Sequence, residues 1–229
     1  MSNLRTGMVS FPSNGCTTPG YLAQPDDVGT YPGLVVIQEW WGLVPHIKEV
    51  TERFAREGFI ALAPDLYYGA TADEPDEARK LAMRLDRNRA VREIVAAARY
   101  LKEMSNVAPK KVGAIGWCMG GGLALSTAVH DGDIGAVVAF YGRPLDPADT
   151  AEIHAPVLGL YGAEDPGIPV ETVRAFEREL EAHGIPKEIH IYPGAGHAFF
   201  NNTRPQAYHP QAAQDAWERS LAWFFQHLA

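Results

Sequence analysis

One cysteine in this chain is hemmed in by glycine. Gly116-Trp117-Cys118-Met119-Gly120 follows the apolar run Val112-Gly113-Ala114-Ile115 and leads into a helical pattern. A strand that folds back sharply into a helix at Gly-x-Cys-x-Gly holds the middle side chain on a strained backbone. The flanking glycines leave space that any Cβ would fill. That placement predicts a nucleophilic thiol; the bland alternative is a small buried cysteine in a tight turn, as most free cysteines are. A thiol is only a few per cent thiolate at neutral pH, so it needs an imidazole as base, and the imidazole needs a carboxylate to fix its tautomer. His197 lies in the glycine-flanked loop Gly194-Ala195-Gly196-His197-Ala198, and Asp165 in the turn Gly162-Ala163-Glu164-Asp165-Pro166. Asp165 is the candidate orienting acid; Glu164 beside it could serve instead, and either could be an ordinary acid at a helix start, favoured by the helix dipole.

These three loops need strands to carry them. Short apolar or β-branched runs alternate with longer helical patterns along the whole chain, the signature of parallel strands joined by helical crossovers. The runs predict strands over 33–37, 59–63, 112–115, 135–140, 157–161 and 188–191, after an antiparallel entry around 7–11 and 20–24. Helices are predicted over 46–57, 74–104 (long or broken), 119–129, 170–182 and 210–228. Cys118, Asp165 and His197 then each follow directly after a predicted strand. Nucleophile, acid and histidine in that order are the α/β-hydrolase order, and open α/β sheets place their sites at these strand ends. With 229 residues, 46% of them hydrophobic, the expectation is one α/β-hydrolase domain over 1–229, its mostly parallel sheet of about 7–8 strands flanked by helices without a large cap.

Composition narrows the partners. A net charge of −8 without a basic run argues against nucleic acid and anionic membranes. The first residues lack the apolar stretch of a signal peptide, and no apolar run approaches the roughly 18 residues of a membrane span, so a cytoplasmic protein is expected. Two cysteines, Cys16 and Cys118, are too few for a disulfide framework and lack Cys-x-x-Cys spacing, while the eight histidines include no His-x-x-x-His pair; neither a redox role nor a metal is predicted. Ordinary amphipathic helix faces predict a monomer.

Five segments together resemble the dienelactone hydrolase (carboxymethylenebutenolidase) family. They are Gln38-Glu39-Trp40-Trp41-Gly42, Ala63-Pro64-Asp65-Leu66-Tyr67, Gly116-Trp117-Cys118-Met119-Gly120-Gly121, Tyr161-Gly162-x-x-Asp165 and Gly194-Ala195-Gly196-His197-Ala198-Phe199. The resemblance implies a Cys118-Asp165-His197 triad acting on a small ester or lactone, of the dienelactone type with a maleylacetate-like product, and no cofactor. It also implies that Glu39 contacts the resting thiol and gates it until substrate arrives. A broader carboxylesterase or thioesterase on the same triad is the alternative, and a non-catalytic binding module would have no reason to keep all three side chains. The amides of Trp40 and Met119 are the expected oxyanion hole, one after an earlier strand and one after the nucleophile. The helix starting at Met119 adds positive dipole that favours thiolate.

The substrate end departs from the family pattern. Members that act on muconate-derived lactones hold the substrate carboxylate with arginines, one of them four residues past the histidine, where this chain has Asn201. Arg204, Arg79 and Arg84 are the candidate replacements. Loss of such an arginine removes charge-assisted hydrogen bonds of about 1.5–3 kcal/mol each, which predicts a less acidic or smaller ester. Trp40, Trp41, Tyr67, Tyr141, Phe199 and Phe200 are candidates for an aromatic wall, with Trp40, Tyr141 and Phe199 the ones expected to meet substrate.

Overall fold

The computed structural model describes residues 3–130, 132 and 134–228. The chain runs β1 (Leu4–Ser13), β2 (Cys16–Pro25), β3 (Tyr31–Ile37), α1 (Pro45–Arg56), β4 (Ile60–Pro64), α2 (Pro75–Arg84) and α3 (Arg87–Glu103). It continues through β5 (Val107–Trp117), α4 (Met119–His130), β6 (Ile134–Phe140), α5 (Pro147–Thr150), β7 (Val157–Gly162), α6 (Val170–Ala182), β8 (Lys187–Tyr192) and α7 (Pro210–His227). The strands form one eight-stranded sheet in the order β1-β2-β4-β3-β5-β6-β7-β8. β1 and β2 pair antiparallel, as do β2 and β4; every other neighbour is parallel. No described helix is long and apolar enough to cross a membrane.

The central strands read as unbroken apolar runs because both faces of the sheet are covered. Alternate side chains of β3 part company: Val35 and Ile37 join a core beneath α3 and α4, whereas Leu34 and Val36 join a second core beneath α1 and α7. Ala114 and Ile115 of β5 divide the same way, as do Val137 and Val138 of β6. The second core is aromatic. Phe54 of α1 lies 4.4 Å from Trp217 of α7, centroid to centroid, and Trp117 stacks on both Phe140 (5.3 Å) and Phe200 (5.6 Å).

The expected helix over 74–104 is broken, at Leu85. That residue turns extended (φ −68°, ψ 118°), and Asp86 begins α3 anew by accepting the Arg89 amide at 3.1 Å. An aspartate N-cap satisfies one of the helix's unpaired donors, and this is enough to restart the chain in a new direction. The entry strands are longer than predicted, ten residues each. Asn14 and Gly15, both at positive φ (52° and 77°), make the two-residue turn between them, in keeping with the Asn-Gly preference of twisted hairpins. The four-residue α5 was not predicted; its length leaves no periodicity to read.

Candidate active site

Cys118 sits between β5 and α4 with φ at +56°, a left-handed conformation that costs a non-glycine residue about 1–2 kcal/mol. The surroundings hold it there. Its amide donates to the Phe140 carbonyl at 3.0 Å, and its own carbonyl accepts from Gly121 (3.1 Å) and Gly122 (3.3 Å). A Cβ on Gly116 would lie 2.1 Å from the Gly120 oxygen, and one on Gly120 would lie 2.5 Å from the carbonyls of Ile37 and Gln38. Both glycines are therefore obligatory for the approach of β5, α4 and the end of β3.

Two neighbouring loops bring the acid to the base. The loop after β7 is stitched to the loop after β8 by Ala163 N–H to Tyr192 O and Glu164 N–H to Ala195 O, each 2.9 Å. Asp165 Oδ2 then meets His197 Nδ1 at 2.6 Å, while Oδ1 accepts the Gly167 amide at 2.8 Å. Glu164 is exposed and Asp165 is 5% exposed, so the choice between them falls on Asp165. Cys118 also acts on the His197 ring and favours its charged form. Burial by itself would lower the imidazole pKa, but the hydrogen bonds and charges of Asp165 and Cys118 outweigh it and raise it from 6.5 to about 10. Burial opposes ionisation of Asp165 too, yet the hydrogen bond and charge of His197, with the Gly167 and Ile168 amides, bring its carboxyl below the usual range. Both shifts favour a charged ring against the buried Asp165 carboxylate.

Glu39 is buried next to this row (2% exposed). Its Oε2 accepts from Asn201 Nδ2 at 2.7 Å and its Oε1 from the Tyr141 hydroxyl at 3.4 Å. Desolvation raises its pKa, opposed by those two donors and by the charges of His197 and Arg204. Tyr141, at φ 36° just past β6, is fully buried with its ring 5.0 Å from that of His197.

The remaining candidates scatter. Neither the Trp40 nor the Met119 amide is taken by a protein acceptor among the described residues. Arg204 stacks 3.8 Å above Trp41 and donates to the Asp73 carbonyl at 3.2 Å, joining the loop after His197 to the loop before α2. Arg79 is exposed and pairs with Asp76 on its own helix at 3.3 Å. Arg84 lines a cleft of about 310 Å³ with Leu66, Tyr67, Leu81 and Arg89. Phe199 is fully enclosed between Phe140, Tyr141 and Tyr192. Its expected contact with substrate gives way to a place in the core, because the ring turns inward beneath the loop. Tyr141, also expected to meet substrate, is equally enclosed, and Phe200 and Trp41 are buried too, leaving Trp40 and Tyr67 as the half-exposed aromatics of the expected wall. Tyr67 reaches Met119 Sδ at 3.5 Å with its hydroxyl. No periodic signal announces that contact or the link from Asn201 to Glu39.

A surface cleft of about 960 Å³ lies between the β1–β2 hairpin and α3 and includes none of these residues. Among the described residues no group of three or more His, Cys, Asp or Glu side chains is placed to hold a metal ion.

The family model of the dienelactone hydrolase family matches residues 18–228. The protein usf of Aquifex pyrophilus is 39% identical, over 96% of this chain and 98% of that protein. A candidate carboxymethylenebutenolidase of Yersinia pestis is 36% identical, over 98% of this chain and 89% of its own length. Among solved structures, a candidate dienelactone hydrolase from Klebsiella pneumoniae superposes with a TM-score of 0.90 at 32% identity, covering 98% of this chain and 99% of that one. A dienelactone hydrolase-like promiscuous phosphotriesterase from metagenomic libraries superposes at 0.89 with 26% identity, over 99% of each chain.

Proposed function

The chain belongs to the dienelactone hydrolase family, and from that premise we propose that it hydrolyses an ester or lactone through Cys118, His197 and Asp165 by way of an acyl-cysteine. The Cys118 sulfur attacks the carbonyl carbon, and the carbonyl oxygen takes up negative charge facing the unpaired amides of Trp40 and Met119. The His197 imidazolium gives its proton to the leaving alkoxide. In a lactone that alkoxide stays tethered to the acyl group, so the ring opens without loss of a fragment. The neutral imidazole then removes a proton from water, the hydroxide attacks the thioester, and the sulfur leaves as thiolate beside a recharged imidazolium. Asp165 holds the ring orientation throughout.

One observation carries this reading: Cys118 stands on a left-handed elbow, and the His197 imidazole whose charge it influences has Nδ1 2.6 Å from a buried carboxylate. A dienelactone, opening to a maleylacetate-like acid, is the substrate class proposed first. Asn201 favours a second reading, a broader carboxylesterase or thioesterase, because it stands where the family's lactone-binding arginine is expected and spends its amide on Glu39. Turnover of a dienelactone and of p-nitrophenyl acetate by the wild type and Cys118→Ala tests both. Lactone hydrolysis that disappears in the variant supports the first reading, with Arg204 or Arg84 at the substrate carboxylate. Hydrolysis of the simple ester alone supports the second. Turnover that survives Cys118→Ala overturns the cysteine mechanism.

A further inference from the structure

Asn201 is 2% exposed and lies four residues beyond His197, yet it donates to a carboxylate in the loop that follows the central strand β3. Its orientation is dictated locally: Oδ1 accepts both the amide (3.0 Å) and the hydroxyl (2.7 Å) of Thr203. A side-chain amide has one accepting and one donating end. With the accepting end occupied, the NH₂ group faces Glu39. Tyr141 covers the other Glu39 oxygen, and among the described residues no hydrogen bond joins Glu39 to the Cys118 sulfur. The family resemblance implied that pairing, thiol with Glu39.

We infer that Asn201 is a positioning residue that holds the Glu39 carboxylate off the Cys118 sulfur, so that the resting nucleophile pairs with His197. This rests on the reading of Cys118 as nucleophile. A carboxylate touching a thiol keeps the proton on sulfur, because two anions in contact repel. A carboxylate engaged by two neutral donors exerts no such hold, and the thiolate need not wait for substrate to displace it. Other charged and titratable groups surround this cluster. Glu39 is faced by His197, Tyr141 and Arg204, His197 by Asp165 and Cys118, and the sulfur by Tyr67 and Tyr141. None of them reaches Glu39 Oε2 within hydrogen-bond distance; Asn201 does.

The experiment is the pH profile of Cys118 alkylation by iodoacetamide in the whole protein without substrate, read by mass spectrometry on the Cys118 peptide so that exposed Cys16 does not contribute. Asn201→Leu frees Glu39 to accept a hydrogen bond from the thiol, which then keeps its proton. The acidic limb should move up by about one pH unit, which is about tenfold slower labelling at a fixed pH on that limb. Glu39→Gln added to Asn201→Leu should return the profile to that of the wild type, a reversal that general loosening of the site would not produce. Thr203→Val, which removes one of the two bonds fixing Asn201, should slow labelling in the same direction by at least about twofold. An unshifted limb in Asn201→Leu, or a shift that Glu39→Gln leaves in place, overturns the inference. If Asn201→Leu does not fold, Thr203→Val decides on its twofold criterion. Failure of the functional reading shows separately, as ester turnover that persists in Cys118→Ala whatever the alkylation profiles do.

Discussion

His197 is raised to about 10 by partners on both sides of its ring, and the sign of that shift sets the pH behaviour. An imidazole whose folded pKa exceeds its ordinary 6.5 contributes stability that is fully present below about 6.5 and is lost as pH rises through about 10. The Asp165 contribution runs the other way, present above the ordinary carboxylate range and lost as pH falls through its depressed value. Catalysis should follow the imidazolium on the alkaline side, with kcat/KM for a poor leaving group declining only near pH 10. Asp165→Asn removes the hydrogen bond and charge that lead the upward shift, so the alkaline limb should move down by more than a unit. In the serine version of this triad the same change costs about 10⁴ in kcat, and a loss of about 10²–10⁴ is expected here. A limb that stays at pH 10 in Asp165→Asn would assign the shift to another group. At this scale the pairing of Asp165 with His197 was legible in the sequence because each falls in a glycine-containing loop just past a strand run. The clamp on Glu39 was not, since Asn201 and Thr203 are polar residues in a loop, and Asn201 lies 162 positions further along the chain than the Glu39 it meets. The fate of Arg204 was equally hidden: a cation in a loop reads the same whether it awaits a carboxylate or lies over Trp41.

Elements decide how much geometry the site keeps. The elbow depends on β5 and α4 meeting without side chains between them, so the glycines of this stretch should differ in what they tolerate. A methyl on Gly116 would meet the Gly120 backbone at 2.1 Å, whereas the nearest atom to a methyl on Gly122 is 3.5 Å away. Gly116→Ala should therefore force the elbow open, destabilising by about 1–3 kcal/mol as overpacking does and lowering kcat by about 10²-fold through misplacement of the sulfur. Gly122→Ala relieves backbone entropy in a helix and should leave stability equal or raise it by about 0.5–1 kcal/mol. Urea unfolding with kcat on the same samples checks both, and equal losses would mean that the contact between β5 and α4 is looser than the distances indicate. On the opposite face Phe54 joins α1 to α7 through Trp217 at 4.4 Å and Phe224 at 6.3 Å. Phe54→Ala should cost about 3–5 kcal/mol, a large part of the 5–15 kcal/mol typical of a domain, and urea midpoints measure it. Strand positions were legible because both sheet faces are buried and the runs stay apolar. Their ends were not, for β5 begins at Val107 through four exposed residues, Ala108 to Lys111, that carry no apolar signal. The wall of aromatics was misread at Phe199 for a related reason: two consecutive phenylalanines in a loop do not reveal which way the loop folds over the core.

The whole molecule closes its sheet in two ways, and these bear on association. At one edge β8 presents Lys187, Glu188 and His190. Arg219 binds Glu188 at 2.8 Å and Asp215 at 2.6 Å, and Asp215 accepts the Tyr192 hydroxyl at 2.8 Å. Charged side chains along an edge strand disfavour pairing with another chain, because a second copy would have to strip their water. At the other edge β1 carries Arg5, paired with Asp26 at 3.3 Å, and its exposed Met8 stands on a stretch otherwise of alternating exposure. Among the described residues the large exposed apolar side chains, Met8, Val28, Tyr68, Met83, Tyr208 and Phe225, come from six separate stretches of chain. Single exposed apolar residues are ordinary on a soluble surface, whereas an interface needs a contiguous patch. A net charge of −8 adds mutual repulsion at low salt. We therefore expect sedimentation equilibrium to return the mass of one chain at micromolar concentration, both at about 20 mM salt, where the repulsion is felt, and at about 500 mM, where charges more than a few ångströms apart are screened. A dimer at both salts would require an apolar contact on one of those six stretches, and a dimer at high salt alone would show that net charge, not the blunted edges, keeps the chains apart.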